Sequence, residues 1–365
     1  MASPVDPIAA VSQQVEDYFT AQRAQTTGYG PEARRMMDAA TAAVTGGKRL
    51  RARFCITGYQ AVAAALGPAS DDVPDAVIGV AAALEVFHAA ALVHDDIIDN
   101  SDTRRGRPSA HRRIENAYLD AGWSGDAAAF GRAGGILLGD LLVALSDDLL
   151  EHSLLPLPAA TAAAARGQYA AMRRDVTIGQ FLDIVEESAH VSAPDAEHAE
   201  RALRVASLKS ARYSVEQPLL IGAHLAGADE AQLAALSAFG HPVGMAFQLR
   251  DDVLGVFGDE EETGKPAGDD LREGKRTVLI AYAREALPAG ARRLVDELIG
   301  DPELDGGQIA SLQRTIHDSG ALDRVEQLIS GYVRTADRAL SGAQLGNAAV
   351  GQLRDLARAA AERSS

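Results

Sequence analysis

Leu84-Glu85-Val86-Phe87-His88-Ala89-Ala90-Ala91-Leu92-Val93-His94-Asp95-Asp96-Ile97-Ile98-Asp99 closes a long apolar run with three carboxylates. Apolar residues recur at three- and four-residue spacing throughout 74–100, so the segment reads as a helix with an acidic end. Asp95 and Asp99 are four apart and share one face, where like charges repel unless a cation sits between them. Hard oxygen ligands on one face suit Mg²⁺, above all when a substrate phosphate supplies the remaining ligands. Taken alone, the pattern fits an acid-capped, solvated helix end better. Its continuation, Asp102-Thr103-Arg104-Arg105-Gly106-Arg107-Pro108, adds guanidinium groups suited to bidentate phosphate binding, so metal and phosphate chemistry coincide.

The same spacing recurs outward from this helix. It runs over 5–21, 31–44 and 49–66 before it, and over 134–152, 159–187, 195–226, 229–256 and 277–287 after it, with further amphipathic stretches beyond 289. The breaks are short and made of turn residues, as at Gly46-Gly47, Gly67-Pro68, Leu155-Pro156-Leu157-Pro158 and Asp305-Gly306-Gly307. None reads as an interdomain linker, no strand pair is evident and no repeat of fixed period is found. The expected fold is all-α: one compact bundle of about ten or more helices forming a single domain over 1–365.

Composition agrees. Of 365 residues, 47% are hydrophobic but only 5% aromatic, and the abundant alanine suits close-packed helices. A net charge of −16 excludes a general nucleic-acid binder, so any anionic ligand must meet a local basic cluster or a metal. Cys55 is the only cysteine, which rules out a disulfide framework and a cysteine-based zinc site and fits a reducing cytoplasm. Asp6 and Glu16 interrupt the N-terminal stretch where a secretory signal needs a basic start and an unbroken apolar core. Glu85 and His88 interrupt the most apolar segment, so no membrane span is expected.

Far along the chain, Phe247-Gln248-Leu249-Arg250-Asp251-Asp252 again puts paired carboxylates late in an apolar helix. Two such helices facing each other could hold a diphosphate through bridging Mg²⁺. The loop Thr263-Gly264-Lys265-Pro266-Ala267-Gly268-Asp269-Asp270-Leu271-Arg272-Glu273-Gly274-Lys275-Arg276-Thr277 follows. It reads either as an ordered cover for phosphate or as a solvated charged loop. Gly46-Gly47-Lys48-Arg49-Leu50-Arg51 offers a further basic turn at a helix start, which on its own is more simply a cationic surface turn.

In this order, GGKRLR, ExxHxxxLxHDDxxD, RRG, the helix carrying Gln180 and Asp183, Lys209-Ser210, FQxxDD and GKPxGDDLxxGKRT resemble the trans-prenyl diphosphate synthase (polyprenyl synthetase) family. The resemblance spans roughly 46–277 and implies a helical bundle around a central cavity. It implies that Asp95, Asp96, Asp99, Asp251 and Asp252 hold Mg²⁺ and that Arg104, Lys209, Gln248 and Lys265 contact an allylic diphosphate. It places Lys48, Arg51, His88 and Arg105 at an isopentenyl diphosphate site, and Gln180, Asp183, Ser210 and Lys275 in the substrate set. The implied reaction ionises the allylic C–O bond, adds the isopentenyl double bond to the cation and loses a proton to the released diphosphate. No organic cofactor is needed, and homodimers are typical of the family.

The second motif departs from the family: Gly255 stands where a third Asp is usual, and the next acid is Asp259. Ser210 replaces a usual Thr and Ala52 a common Pro. Ala90 and Ala91, one turn before the first Asp, leave a deeper pocket than the aromatics of fifteen-carbon makers, and Phe87 a turn below is either a floor or ordinary core. Geranylgeranyl diphosphate is therefore the expected product, with a longer polyprenyl chain as the main rival. A class I terpene cyclase would carry an Asn/Ser/Glu motif on the second helix, and a non-catalytic partner subunit would lose metal or basic residues; only Gly255 points toward the latter.

Overall fold

The computed structural model describes residues 6–66, 72–258 and 268–361, and these are almost entirely helical. The chain opens with α1 (Pro7–Gln25), α2 (Pro31–Val44), α3 (Leu50–Leu66) and α4 (Asp75–Ile98). After a short hairpin come α5 (Ala110–Asp120), α6 (Ala127–Leu154) and α7 (Ala159–Ala189). Next are α8 (His198–Val205), a π-helix over Ala206–Glu216, α9 (Gln217–Leu225) and α10 (Glu230–Phe257). The C-terminal part holds α11 (Asp269–Glu273), α12 (Val278–Ala286), α13 (Ala289–Leu298), α14 (Gly306–Asp318), α15 (Ala321–Ala339) and α16 (Asn347–Ala361).

Local signals set these boundaries. Asp6 caps α1 by accepting from the Ile8 amide at 3.1 Å, and Pro7 follows at the first helical position, where its missing N–H costs nothing. Asp229 with Gln232 and Asp305 with Gln308 form reciprocal capping boxes at α10 and α14. Val11, Val15 and Phe19 then bury one stripe of α1 against α4, whose interior from Val77 to Val93 is almost wholly enclosed.

The α4 core also takes in α2, α3, α6, α7 and the Ile221 and Leu225 side chains of α9. Leu219, Leu220 and Ala223 of α9 instead join Phe54, Phe239, Leu340 and Leu353. The lower part of α10, with Leu249, Val253 and Val256, packs on Leu279, Ile309 and Val325. Helices α3 and α9 touch backbone to backbone: a Cβ on Gly222 would lie 1.8 Å from the Cys55 carbonyl oxygen. Gly222→Ala is therefore expected to cost about 3 kcal/mol by forcing the two helices apart, read as a lower urea midpoint. An unchanged midpoint would mean that the pair can separate freely.

Three features differ from the sequence reading. Thr103–Arg104 and Arg107–Pro108 form an antiparallel hairpin, although no strand pair was evident. Two-residue strands are too short to show alternation; the signal is Arg105-Gly106, both at positive φ (54° and 69°), as a two-residue hairpin turn requires. The segment 195–226 is not one α-helix but a 3₁₀ turn, α8, the π-helix and α9. Pro218 in the first turn of α9 cannot donate a backbone bond, and the π-to-α change falls beside it. Finally, α4 and α6 are each long and apolar enough to cross a membrane by length and composition; 78% of the relevant window of α4 is buried, but only 33% of that of α6.

Candidate active site

The C-terminal end of α4 delivers its carboxylates in two directions. Asp95 and Asp99 point toward Lys209 and Lys275 across a cleft, at 3.7 and 3.3 Å, whereas Asp96 is 2% exposed and accepts from Arg104 Nε at 2.8 Å and from its Nη2. Burial raises the Asp96 pKa and the Arg104 contact opposes it. Asp96 thus ties the hairpin that carries Arg104 and Arg105 to the acidic helix end.

Across the cleft, Lys209 of the π-helix reaches Asp183 of α7 at 2.5 Å and Asp95 at 3.7 Å. Lys275 reaches Glu273 at 2.7 Å, Asp99 at 3.3 Å and Asp270 at 4.0 Å. Burial works against both ammonium groups, yet the surrounding carboxylates outweigh it and raise both pKa values. Asp252 of α10 is 7% exposed and accepts from Gln248 Nε2 at 2.6 Å. Burial, opposed by Gln248 and reinforced by Asp270, Asp251 and Asp183, pushes its carboxyl up to about 8. Burial and then Asp183 and Asp99 push Glu187 up to about 7.

The acidic side therefore holds more negative charge than its lysines neutralise, as a cation site does before its cation arrives. Among the described residues no three such side chains converge closely enough to hold a metal ion by themselves. Carboxylates on opposite walls fit Mg²⁺, which keeps several waters and takes substrate phosphate oxygens alongside one or two carboxylates. A group whose folded pKa is raised stabilises the fold at low pH and loses that contribution as pH rises through the raised value. Metal-free protein should thus lose thermal stability between pH 6 and about 8, and Mg²⁺ should restore more at pH 8 than at pH 6. Equal restoration at both pH values, in paired thermal scans, would contradict the charge imbalance.

A basic pocket lies beside the acidic one. Arg51 is 8% exposed, stacks 4.1 Å over the Tyr213 ring and donates from Nη2 to Ser214 Oγ at 2.7 Å. His88 Nδ1 lies 3.2 Å from the Tyr213 hydroxyl, and burial with the charges of Arg51, Arg105, Arg104 and Arg49 holds its pKa well below the usual value. His88 is therefore a neutral ring in a cationic cluster. The Arg105 guanidinium lies against Gly47, where a Cβ would stand 3.1 Å from its Nη2. Glu85 supports the pocket from below, accepting from the Ala52 amide at 3.0 Å and lying 3.8 Å from Arg49. A proline at 52 could not make that bond. Arg49, Asn100 and Arg105 are the non-glycine residues at positive φ among those described, and all three border the site, at about 1–2 kcal/mol of backbone strain each.

The π-helix joins the two pockets: Lys209 serves the acidic side, while Tyr213 and Ser214 hold His88 and Arg51 on the basic side. It is seated flush between neighbours, since a Cβ on Gly179 of α7 or Gly244 of α10 would meet its backbone at 2.4 Å and 2.3 Å. Asp251 precedes Asp252 on α10, and Ser210 follows Lys209 on the π-helix. Gln180 stands on α7 one turn before Asp183, its Nε2 buried without a hydrogen-bond partner among the described residues. Lys48 is exposed to solvent and is not drawn into the cluster. Lys265 and Asp259 lie outside the described residues. Sequence reasoning did not single out Glu187 or Tyr213, and it met Glu85 only as the first residue of ExxHxxxLxHDDxxD and as a break in the apolar segment. Glu187 had a signal, since it continues the face of Gln180 and Asp183 by one turn.

Below the acidic pocket Ala90 is fully buried and Ala91 half-buried, and the Phe87 ring meets Tyr169 and Tyr213 edge-on at 6.1 and 5.9 Å. Tyr169 is fixed in turn by a hydrogen bond to Ser146, which donates to the Ala83 carbonyl at 2.8 Å.

The polyprenyl synthetase family model matches residues 33–316. Among curated relatives, a geranylgeranyl diphosphate synthase of Sulfolobus acidocaldarius is 32% identical over 70% of this chain and 70% of its own. Component 2 of the heptaprenyl diphosphate synthase of Geobacillus stearothermophilus is 32% identical over 96% of this chain and 94% of its own. Among solved structures, a geranylgeranyl pyrophosphate synthase of Corynebacterium glutamicum, complexed with isoprenyl diphosphate and magnesium, superposes with a TM-score of 0.90 at 36% identity, covering 98% of each chain. With facing acidic walls, a cationic pocket and this match over most of its length, the chain belongs to the polyprenyl synthetase family and is a prenyltransferase.

Proposed function

We propose that this prenyltransferase joins isopentenyl diphosphate to allylic diphosphates and stops at geranylgeranyl diphosphate. The observation that carries the reading is the pair of adjoining pockets: carboxylates with Lys209 and Lys275 on one side, and Arg51, His88 and Arg105 on the other. Mg²⁺ held by Asp95, Asp99, Asp251 and Asp252 would neutralise the allylic diphosphate and stabilise it as a leaving group. Lys209, Lys275 and Arg104 add positive charge around it, while Arg51 and Arg105 orient the isopentenyl diphosphate with its double bond toward the allylic carbon. The apolar wall from Ala91 down to Phe87 excludes water from the cation, and the released diphosphate takes the proton.

The whole of 1–365 is read as one domain, because α9 and α10 each contribute to more than one apolar cluster. A homodimer is proposed with it. Ile136 and Leu137 of α6 and Ile178 and Phe181 of α7 are exposed apolar side chains. Such exposed apolar side chains suit burial against a second copy.

The test is incubation of purified protein with isopentenyl diphosphate, Mg²⁺ and each allylic primer in turn, with products read by mass spectrometry. A ladder ending at twenty carbons supports the proposal, and a longer end point overturns the product. The Geobacillus relative favours a second reading, a subunit of a two-component longer-chain synthase. No turnover by the chain alone would favour that reading.

A further inference from the structure

Lys275-Arg276-Thr277 links α11 to α12, and its first two side chains have different partners. Lys275 places its ammonium among Asp99, Glu273 and Asp270 at the acidic wall. Arg276 reaches α13 instead, where Nη1 donates to Asp296 Oδ1 at 3.1 Å and Nη2 to the Ile299 carbonyl at 3.4 Å. The Arg276 side chain is 9% exposed; burial lowers its pKa, and Asp296 is the first group to oppose that shift. The same end of α13 also holds the start of the loop. Gly300 donates to the Leu271 carbonyl at 2.8 Å, and a Cβ on Gly274 would stand 3.1 Å from the Gly300 Cα. Asp296 is locked in turn by the buried Arg284 of α12, which donates to it from Nε at 2.7 Å and from Nη2 at 3.0 Å. One carboxylate thus holds two largely buried guanidinium groups, one of them on the residue next to Lys275.

We infer that Asp296 is a positioning residue for prenyl transfer: through Arg276 it fixes the backbone of Lys275 and so holds the Lys275 ammonium where the allylic diphosphate is charge-balanced. The inference rests on the proposed reading of the cleft. A lysine stem is flexible, so the place of its ammonium depends on how firmly the chain on either side is held. Asp296 acts through Arg276 and not on substrate. Its effect belongs to the allylic diphosphate, because the cations of the other pocket, Arg51 and Arg105, stand on α3 and the hairpin.

The test is steady-state kinetics with a fifteen-carbon allylic diphosphate and isopentenyl diphosphate, each varied against saturation by the other. Calorimetric titration of inorganic diphosphate in Mg²⁺ adds a readout that needs no turnover. Asp296→Asn keeps the side-chain shape and is expected to raise the allylic KM about tenfold, with the isopentenyl KM within about twofold of the parent. It should weaken inorganic diphosphate binding about tenfold as well, and Asp296→Glu, which restores the charge, should recover both to within about threefold. Added to Lys275→Met, Asp296→Asn should change either value by less than about twofold, since the group it acts through is gone. Equal rises in both KM values, parental values throughout, or effects that simply add in the double variant would overturn the inference. If Asp296→Asn does not fold, Arg276→Met, which leaves Asp296 paired with Arg284, decides on the same readouts. A parent that binds diphosphate without joining the substrates loses the proposed reaction, and the diphosphate titrations then decide the inference. A parent that does neither overturns the reading of the cleft before any variant is compared.

Discussion

Asp95→Ala is expected to lower turnover by on the order of a thousand-fold or more while the protein unfolds at nearly the parental temperature. The Asp95 side chain is 24% exposed at the cleft, and Lys209, 3.7 Å away, keeps its closer contact with Asp183 at 2.5 Å when Asp95 is removed. The fold thus loses one long ion pair, worth about 1 kcal/mol or less, and is relieved of repulsion with Asp99. Catalysis loses a carboxylate from the wall that would hold the cation. Asp96→Ala should behave in the opposite manner, because Asp96 is buried and anchors Arg104. It strands the partly buried Arg104 guanidinium and should cost about 2 kcal/mol of stability together with activity. Steady-state rates and thermal scans of the two variants check this contrast. Retained turnover in Asp95→Ala would sink the metal assignment.

Ala91→Phe is expected to shorten the product to fifteen carbons, and Phe87→Ala to lengthen it beyond twenty. Phe87, Ala91 and Asp95 follow one another at four-residue intervals on α4, placing Phe87 about 12 Å below the acidic end. Ala91 is half-buried and can accept a ring, whereas Ala90 is fully enclosed and the same substitution there would overpack the core. Phe87→Ala leaves a cavity between Tyr169 and Tyr213 and should cost about 3–5 kcal/mol, so its product is best read at low temperature. Mass spectrometry of the prenyl diphosphates decides both. Unchanged lengths in both variants would mean that the growing chain runs elsewhere.

Much of this protein follows from residue order alone. Helix-period patterning, abundant alanine and turn residues at the breaks specify an all-helical chain, because each signal acts within a few neighbouring residues. The acidic motifs at Asp95 and Asp251 stand out by their local chemistry, whereas their meaning, and the places of Arg51 and Lys209, come from the ordered set of motifs that resembles the family. What local reading could not resolve is direction. Asp95 and Asp96 are adjacent in one motif, yet one faces the cleft and the other is spent on Arg104, a difference set by how the hairpin docks on α4. The hairpin escaped notice because two-residue strands have no period. The π-helix escaped because its residues have no period that sets it apart from an α-helix, although its backbone is seated closely against Gly179 and Gly244.

Glu187 and Asp270 show the same division. Glu187 shows in sequence only as one more acid on the face of Gln180 and Asp183, and Asp270 only as one acid of the charged loop after the second acidic motif; each becomes part of the acidic cleft where α7, α10 and α11 meet. Residue order determined which groups this chain possesses and which helices carry them, since periodicity and capping are short-range. Tertiary packing alone decided which of those groups share a space, because distance and burial, and with them charge coupling, belong to contacts between helices remote in sequence.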